Sequence, residues 1–197
     1  EKSVDKIRTT ALLESAGFNT PKTWVSSSLI RTRNFLSEYL SLGNEVICKP
    51  IFGSQGKGMI KLDKNNSYLD LDVSNGVYYL QEFIHTKADK NTDWRVFVIA
   101  NKVIATMRRE SQHWQTNVAQ GGECYKDESS MDMQKASEKA ASLVGANYAG
   151  IDILIDENNK VWITEINSVP AWKGLESTCN IDIANLLVDD FLEKLEK

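Results

Sequence analysis

Residues 148–156 (YAGIDILID) and 160–167 (KVWITEIN) are two apolar, β-branched runs separated by Glu157-Asn158-Asn159. A turn signal between two such runs predicts an antiparallel hairpin. With Asn158-Asn159 as a two-residue turn, Asp152 lies directly opposite Glu165, and Asn167 follows on the same face. The other face then carries Ile151, Ile153, Ile155, Trp162 and Ile166, a core stripe. Opposed carboxylates repel unless a cation lies between them, so neutralising either should leave the fold intact or steady it. Asp, Glu and Asn are hard oxygen donors that suit Mg²⁺ shared with phosphates. A solvated charged hairpin face carries the same residue types, so the hairpin alone leaves both readings open.

Composition removes several classes of function. The chain has 197 residues, 42% hydrophobic and 25% charged, enough for one large domain or two small lobes. A net charge of −4 gives no electrostatic basis for nucleic-acid binding. No apolar run reaches membrane-spanning length, and no secretory leader is visible. Cys48, Cys124 and Cys179 are widely spaced and lack a CxxC pair, which fits a reducing, cytoplasmic setting without zinc. His85 and His113 are isolated, which argues against a histidine-based centre.

Periodicity predicts a helix over 5–16 stopped by Gly17, and a second over 28–42 with Leu29, Leu36, Tyr39 and Leu40 on one stripe. Strands follow at 45–49, 59–62 and 77–84, and 94–100 with 102–108 form a second hairpin around Asn101. Residues 109–130 read as a long loop with no element of its own, of the kind that is usually functional or mobile. A helix over 131–143, the Asp/Glu/Asn hairpin and a helix over 181–197 complete the chain. The mixture is α+β with antiparallel sheets.

The chemistry-bearing residues are individually unremarkable. Lys49-Pro50 ends a strand and opens Gly53-Ser54-Gln55-Gly56-Lys57-Gly58, a glycine-bearing loop whose amides can approach an anion. It is neither a Walker loop nor a dinucleotide fingerprint, and a plain hairpin loop reads the same. Gln81-Glu82-Phe83-Ile84 ends a strand that can offer backbone groups to a base edge. Asp93 begins the next strand and can accept from a ribose, with Arg95 expected to face elsewhere. Arg108-Arg109 close the second hairpin, and a plain solvated strand end reads the same. Trp114 stands out in a polar loop, where an indole usually meets a partner or ligand.

In order, these pieces resemble the ATP-grasp fold: Asp5-Lys6, Lys49-Pro with its GSQGKG loop, Gln81-Glu-Phe-Ile, Asp93-x-Arg95, Asn117-x-x-x-Gly-Gly, Gly150-Ile-Asp152 and Glu165-Ile-Asn167. Within it the chain is most similar to RimK-like and LysX-like amino-acid ligases, from about residue 4 to the C-terminus. The resemblance implies two lobes with antiparallel sheets: a smaller one over about 20–84, and a larger one over about 85–197 with 1–19. It implies ATP and two Mg²⁺ (Mn²⁺ as an alternative), held by Asp152, Glu165 and Asn167. Lys6 and Lys49 would hold phosphates, and Gly53, Ser54, Gln55, Gly56 and Gly58 would cover them. Gln81 and the backbone of Glu82, Phe83 and Ile84 would read adenine, and Asp93 the ribose. Arg95, Arg109, Asn117 and Ser168 would line the carboxylate site.

Two departures bear on the substrate. Where RimK-like chains have RSNLHRGG this one has QTNVAQGG (115–122), so Gln115 and Gln120 replace two arginines. After Glu-x-Asn it reads SVPAWKGLE (168–176) in place of ASPGLEG. Both variants resemble the tetrahydromethanopterin-type glutamate ligases, implying a pterin-like carboxylate acceptor, with Trp114 and Trp172 around it. Family members carry a small α/β domain ahead of the grasp region; the chain begins without one and reads as a fragment. The expected activity is carboxylate–amine ligation with glutamate as the amino acid, in a protein free to form homo-oligomers. The alternatives are a small-molecule phosphotransferase and a non-catalytic nucleotide-binding module; three retained metal-type ligands argue against the second.

Overall fold

The computed structural model describes residues 5–53, 55–67, 76–87 and 90–196. Four helices start on side-chain caps: α1 (Lys6–Ser15) on Asp5, α2 (Leu29–Ser41) on Ser28, α3 (Met131–Val144) on Ser130, and α5 (Ile183–Leu195) on Asp182. α3 ends on Gly145 in the left-handed conformation. A fourth helix in chain order, α4 (Lys173–Cys179), begins beside Trp172.

Four strands make the first antiparallel sheet: β1 (Thr23–Ser26), β2 (Val46–Lys49), β3 (Ile60–Leu62) and β4 (Tyr78–Glu82), in the order β1-β4-β2-β3. α2 covers one face, burying Leu36 and Leu40 against Val46, Cys48, Leu62 and Leu80. The second antiparallel sheet contains β5 (Asn91–Ile99), β6 (Lys102–Ser111), β7 (Glu123–Lys126), β8 (Tyr148–Ile155) and β9 (Val161–Asn167), in the order β7-β6-β5-β8-β9.

Both faces of this sheet are used. One buries Val96, Val98, Ile151, Ile153, Ile163 and Ile166 beneath α1 and α3. Each such side chain is worth about 1.5–3 kcal/mol by burial. The other face changes character along β5: Phe97 and Ile99 are covered by Leu175 and Ile183 of α4 and α5, whereas Asp93 and Arg95 remain for the site. Residues 168–172 cross this face near the transition. A Cβ on Gly150 would lie 2.8 Å from Pro170 Cβ and 3.0 Å from Arg95 Cδ, so only glycine admits both.

Three elements differ from the expectation. The 109–130 stretch is not a bare loop: β6 runs on to Ser111, a 3-10 turn spans Val118–Gln120, and β7 pairs with β6. β7 is a short edge strand with mostly exposed residues, so it lacks a hydrophobic alternation to read. β1 and α4 are likewise too short to print a period.

Candidate functional site

The β8–β9 register places Asp152 opposite Glu165 and Gly150 opposite Asn167. The turn is longer than expected: Asp156 Oδ1 accepts from the amides of Asn158 and Lys160, and Asn159 has φ 60°, giving a three-residue loop. The longer turn sets Ile153 opposite Ile163, and a bulge between that pair and Asp152 brings Asp152 back opposite Glu165. Ile163 therefore takes the core position expected of Trp162. The Trp162 indole instead donates to Asp156 Oδ2 at 2.9 Å.

A cleft with about 950 Å³ of open space is lined by residues of both sheets. On the first sheet, alternation puts Ile47 and Lys49 on the cleft face of β2. Lys49 Nζ donates to Gln81 Oε1 at 2.5 Å, and Gln81 Nε2 donates to Thr23 Oγ1 at 3.2 Å and Tyr79 Oη at 3.3 Å. Tyr79 Oη and Thr10 Oγ1 lie 2.7 Å apart. The Gln81 side chain thus serves to fix Lys49. Burial lowers the Lys49 pKa, Glu165 partly offsets this, and neighbouring Lys6 lowers it further. Lys6 Nζ sits 3.3 Å from Glu165 Oε1 and donates to Gly53 O at 3.0 Å, tying α1 to β9 and to the glycine loop.

On the second sheet, four buried charges form one chain. Arg95 grips Asp152 with two N–H groups, one at 2.9 Å to Oδ2. Arg109 grips Asp93 the same way, Nε to Oδ1 at 2.7 Å, and extends Nη2 to Asp152 Oδ1 at 3.1 Å. Asn167 Nδ2 adds a bond to Asp152 Oδ2 at 3.3 Å. Asp93, Arg95, Arg109 and Asp152 are each at most 8% exposed, and such burial is tolerable only because every charge is paired. Burial opposes ionisation of Asp152, but Arg109 and Arg95 outweigh it and hold its pKa below the usual carboxylate range. Arg109 likewise stays charged: burial works against it, and Asp152 and Asp93 win.

This geometry corrects three readings. Arg95 does not face away from Asp93; residues two apart on a strand share a face. Arg109 is not a solvated strand end, because β6 continues past it. The carboxylate of Asp152 is already neutralised by protein cations, so its repulsion with Glu165 is not the dominant force on the hairpin. The donor set still suits a hard cation: Glu165, Asp152 and the Asn167 amide oxygen, reached by turning that amide over. Among the described residues no group of three or more His, Cys, Asp or Glu could hold a metal ion, and Asn167 is the further oxygen donor beside this carboxylate pair.

The remaining expected residues distribute as follows. Gly53, Gln55, Gly56, Glu82, Phe83, Ile84 and Asn117 line the cleft with Lys6, Lys49, Gln81, Asp93, Arg109, Asp152 and Glu165, whereas Arg95 and Asn167 are tied to it through Asp152. Gly58 packs on Pro50 instead, and Ser54 lies outside the described residues. The amides of Glu82 and Phe83 are committed to Lys22 O at 2.8 Å and Glu45 O at 3.0 Å. Trp114 lines the cleft, but Trp172 does not. The Trp172 ring packs edge-on against Phe97, 6.1 Å between centroids, inside the apolar half of the sheet. Ile47, Met59 and Leu154 also wall the cleft and escaped the sequence reading. Two-residue spacing from Lys49 and Asp152 was the available signal for Ile47 and Leu154.

The RimK-like ATP-grasp domain family matches residues 3–191. The chain belongs to this family. It is 33% identical over 198 residues to the tetrahydromethanopterin:alpha-L-glutamate ligase of Methanococcus maripaludis, covering 98% of this chain and 66% of that protein. It is 32% identical to a probable alpha-L-glutamate ligase of Legionella pneumophila, covering 100% of this chain and 65% of the relative. The chain therefore spans just under two thirds of the length of these relatives. Its fold is similar to that of the ATP-grasp ligase PsnB, solved with minimal precursor, Mg and ADP. That match has a TM-score of 0.74 at 25% identity and covers 99% of this chain and 60% of that one. Among the described residues no helix is long and apolar enough to cross a membrane.

Proposed function

We propose that this chain is the ATP-grasp portion of an ATP-dependent carboxylate–amine ligase, with glutamate as the amino acid. The observation that carries the reading is the convergence of Lys6, Lys49, Asp152 and Glu165 on one cleft between two sheets, with Asn167 bonded to Asp152 behind it. The relatives' names and the ADP-bound neighbour support it. Residues 20–84 would form one jaw, and 85–197 with 1–19 the other. An acceptor carboxylate oxygen attacks the γ-phosphorus of ATP, the bond to the β-phosphate oxygen breaks, and ADP leaves. The amino group then attacks the acyl phosphate carbonyl, phosphate departs with the C–O bond electrons, and the amine proton goes to water. Such transfers ask the protein for positioning and charge neutralisation.

Lys49, fixed by Gln81, and Lys6, fixed by the start of α1, would approach the phosphates from two sides. Ile47, Met59 and Leu154 offer apolar surfaces for a purine, with the Ile84 amide and the strand-end carbonyls for its edge. Asp152, Glu165 and Asn167 would hold Mg²⁺, two ions in the preferred case and Mn²⁺ as an alternative. Bound there, the metal would neutralise phosphate charge. Arg95 and Arg109 keep Asp152 ionised and oriented for that task. Asn117 and Trp114 line the same cleft and would meet an acceptor there. An indole is a natural stacking surface for a planar ring, which favours a pterin-like acceptor. ADP formation measured with Mg²⁺, with and without glutamate and candidate carboxylates, tests the proposal. Dependence on both substrates is expected; ADP formed from acceptor alone, with the acceptor phosphorylated, would indicate a phosphotransferase.

A further inference from the structure

Two loops that leave different sheets are joined through side chains with no part in the chemistry above. Gln115 Nε2 donates to Gly56 O at 2.8 Å, and Gln120 Nε2 donates to Gln55 O at 3.3 Å. Gly56 has φ 71°, and a Cβ on it would lie 2.5 Å from Asn117 Oδ1 and 3.2 Å from Gln115 Nε2. The tip of the β2–β3 loop therefore rests directly on the 115–120 segment. Its stem is held separately, by Lys6 on Gly53 O. Residues 55 and 56 have this seat only while 115–120 is in place.

We infer that Gln115 and Gln120 are positioning residues that make closure of the 55–58 tip and ordering of 115–120 one event. The inference rests on the ligase reading for what fills the cleft: nucleotide beneath 55–58 and acceptor beside 114–117. A neutral amide suits this role, since it donates one bond to a backbone carbonyl and adds no charge beside a phosphate. Each bond changes the closed population about fivefold, the net worth of one neutral hydrogen bond. Coupling of this kind is reciprocal: a nucleotide that favours the closed tip steadies 115–120, and an acceptor that orders 115–120 tightens nucleotide binding.

Hydrogen exchange on the full chain tests it, comparing wild type, Gln115→Met/Gln120→Met, and Gln115→Arg/Gln120→Arg, without ligand and across a Mg–ADP titration. Met keeps the side-chain length and removes the donor; Arg retains a donor. Without ligand, the Met pair should speed exchange at 55–58 and 115–120 together, and the Arg pair should not. In wild type, Mg–ADP should slow both segments with one midpoint. In the Met pair it should slow 55–58 alone, at about 25-fold higher concentration, roughly fivefold for each bond lost. Wild-type exchange at 115–120 that ignores nucleotide while 55–58 responds overturns the inference. So does a Met pair indistinguishable from wild type without ligand. If Mg–ADP slows exchange nowhere in the cleft, the ligase reading fails, and the ligand-free comparison still decides the latch.

Discussion

Asp152 and Glu165 stand directly opposite across β8 and β9, yet each answers to its own cation: Asp152 to Arg95 and Arg109, Glu165 to Lys6. The two carboxylates therefore differ in what they do for the fold. Asp152→Asn breaks a buried, doubly paired charge and should cost about 3–5 kcal/mol, besides abolishing ATP turnover. Glu165→Gln alters a more exposed pair, worth less than about 1 kcal/mol, and should abolish turnover with little change in stability. Urea melts alongside ADP production check this. An Asp152→Asn protein as stable as wild type would refute the paired-charge account.

The same network gives an acid limit. The folded-state pKa of Asp152 is depressed, so its stabilisation is present above the unfolded value of about 3.9 and is lost as pH falls through the folded value. Stability measured from pH 6 to pH 3, roughly spanning that range, should fall more steeply in wild type than in Asp152→Asn. Parallel curves would mean that Asp152 titrates normally.

Lys49 gives an alkaline limit of opposite origin. Its folded pKa is lowered by burial, so it sheds its proton before an ordinary lysine at about 10.4. Phosphate needs the charged form, so nucleotide affinity should fall as pH rises toward that value, with proton uptake on binding. Calorimetry in buffers of different ionisation enthalpy reads this directly. Lys49→Ala should lose most affinity and the proton uptake, whereas Lys57→Ala should lose little of either. Equal losses would make Lys57 the phosphate ligand.

The two loop tryptophans separate by environment. Trp114→Ala should raise the acceptor KM severalfold and leave the KM for ATP and the melting temperature nearly unchanged. Trp172→Ala should lower stability by up to about 3 kcal/mol, the low end for emptying a packed aromatic site, since its ring is partly buried against Phe97. A Trp114 variant with unchanged acceptor KM would remove the aromatic-acceptor reading.

Much of the fold and of the candidate site is legible in the sequence. The hairpin was readable because its core face alternates, and the ordered motifs placed the family. The Asp152–Glu165 pairing emerged through two compensating features, a turn one residue longer and a bulge before Glu165, and neither leaves a mark in composition. What stayed hidden was pairing at a distance. Nothing local says that Arg109 reaches both Asp93 and Asp152, or that Gln81 is spent on Lys49, because those contacts exist only once strands far apart in sequence are neighbours. The edge strand β7 and the short helix α4 are held by tertiary contacts rather than by their own period.

The most direct test of the central claim follows oxygen. An acceptor found by the ADP screen is labelled with ¹⁸O in its carboxylate and incubated with ATP, Mg²⁺ and glutamate, and the released phosphate is analysed by mass spectrometry. The acyl-phosphate route predicts one ¹⁸O in each phosphate and an amide product retaining the other. Unlabelled phosphate, or a stable phosphorylated acceptor with no amide, would contradict it.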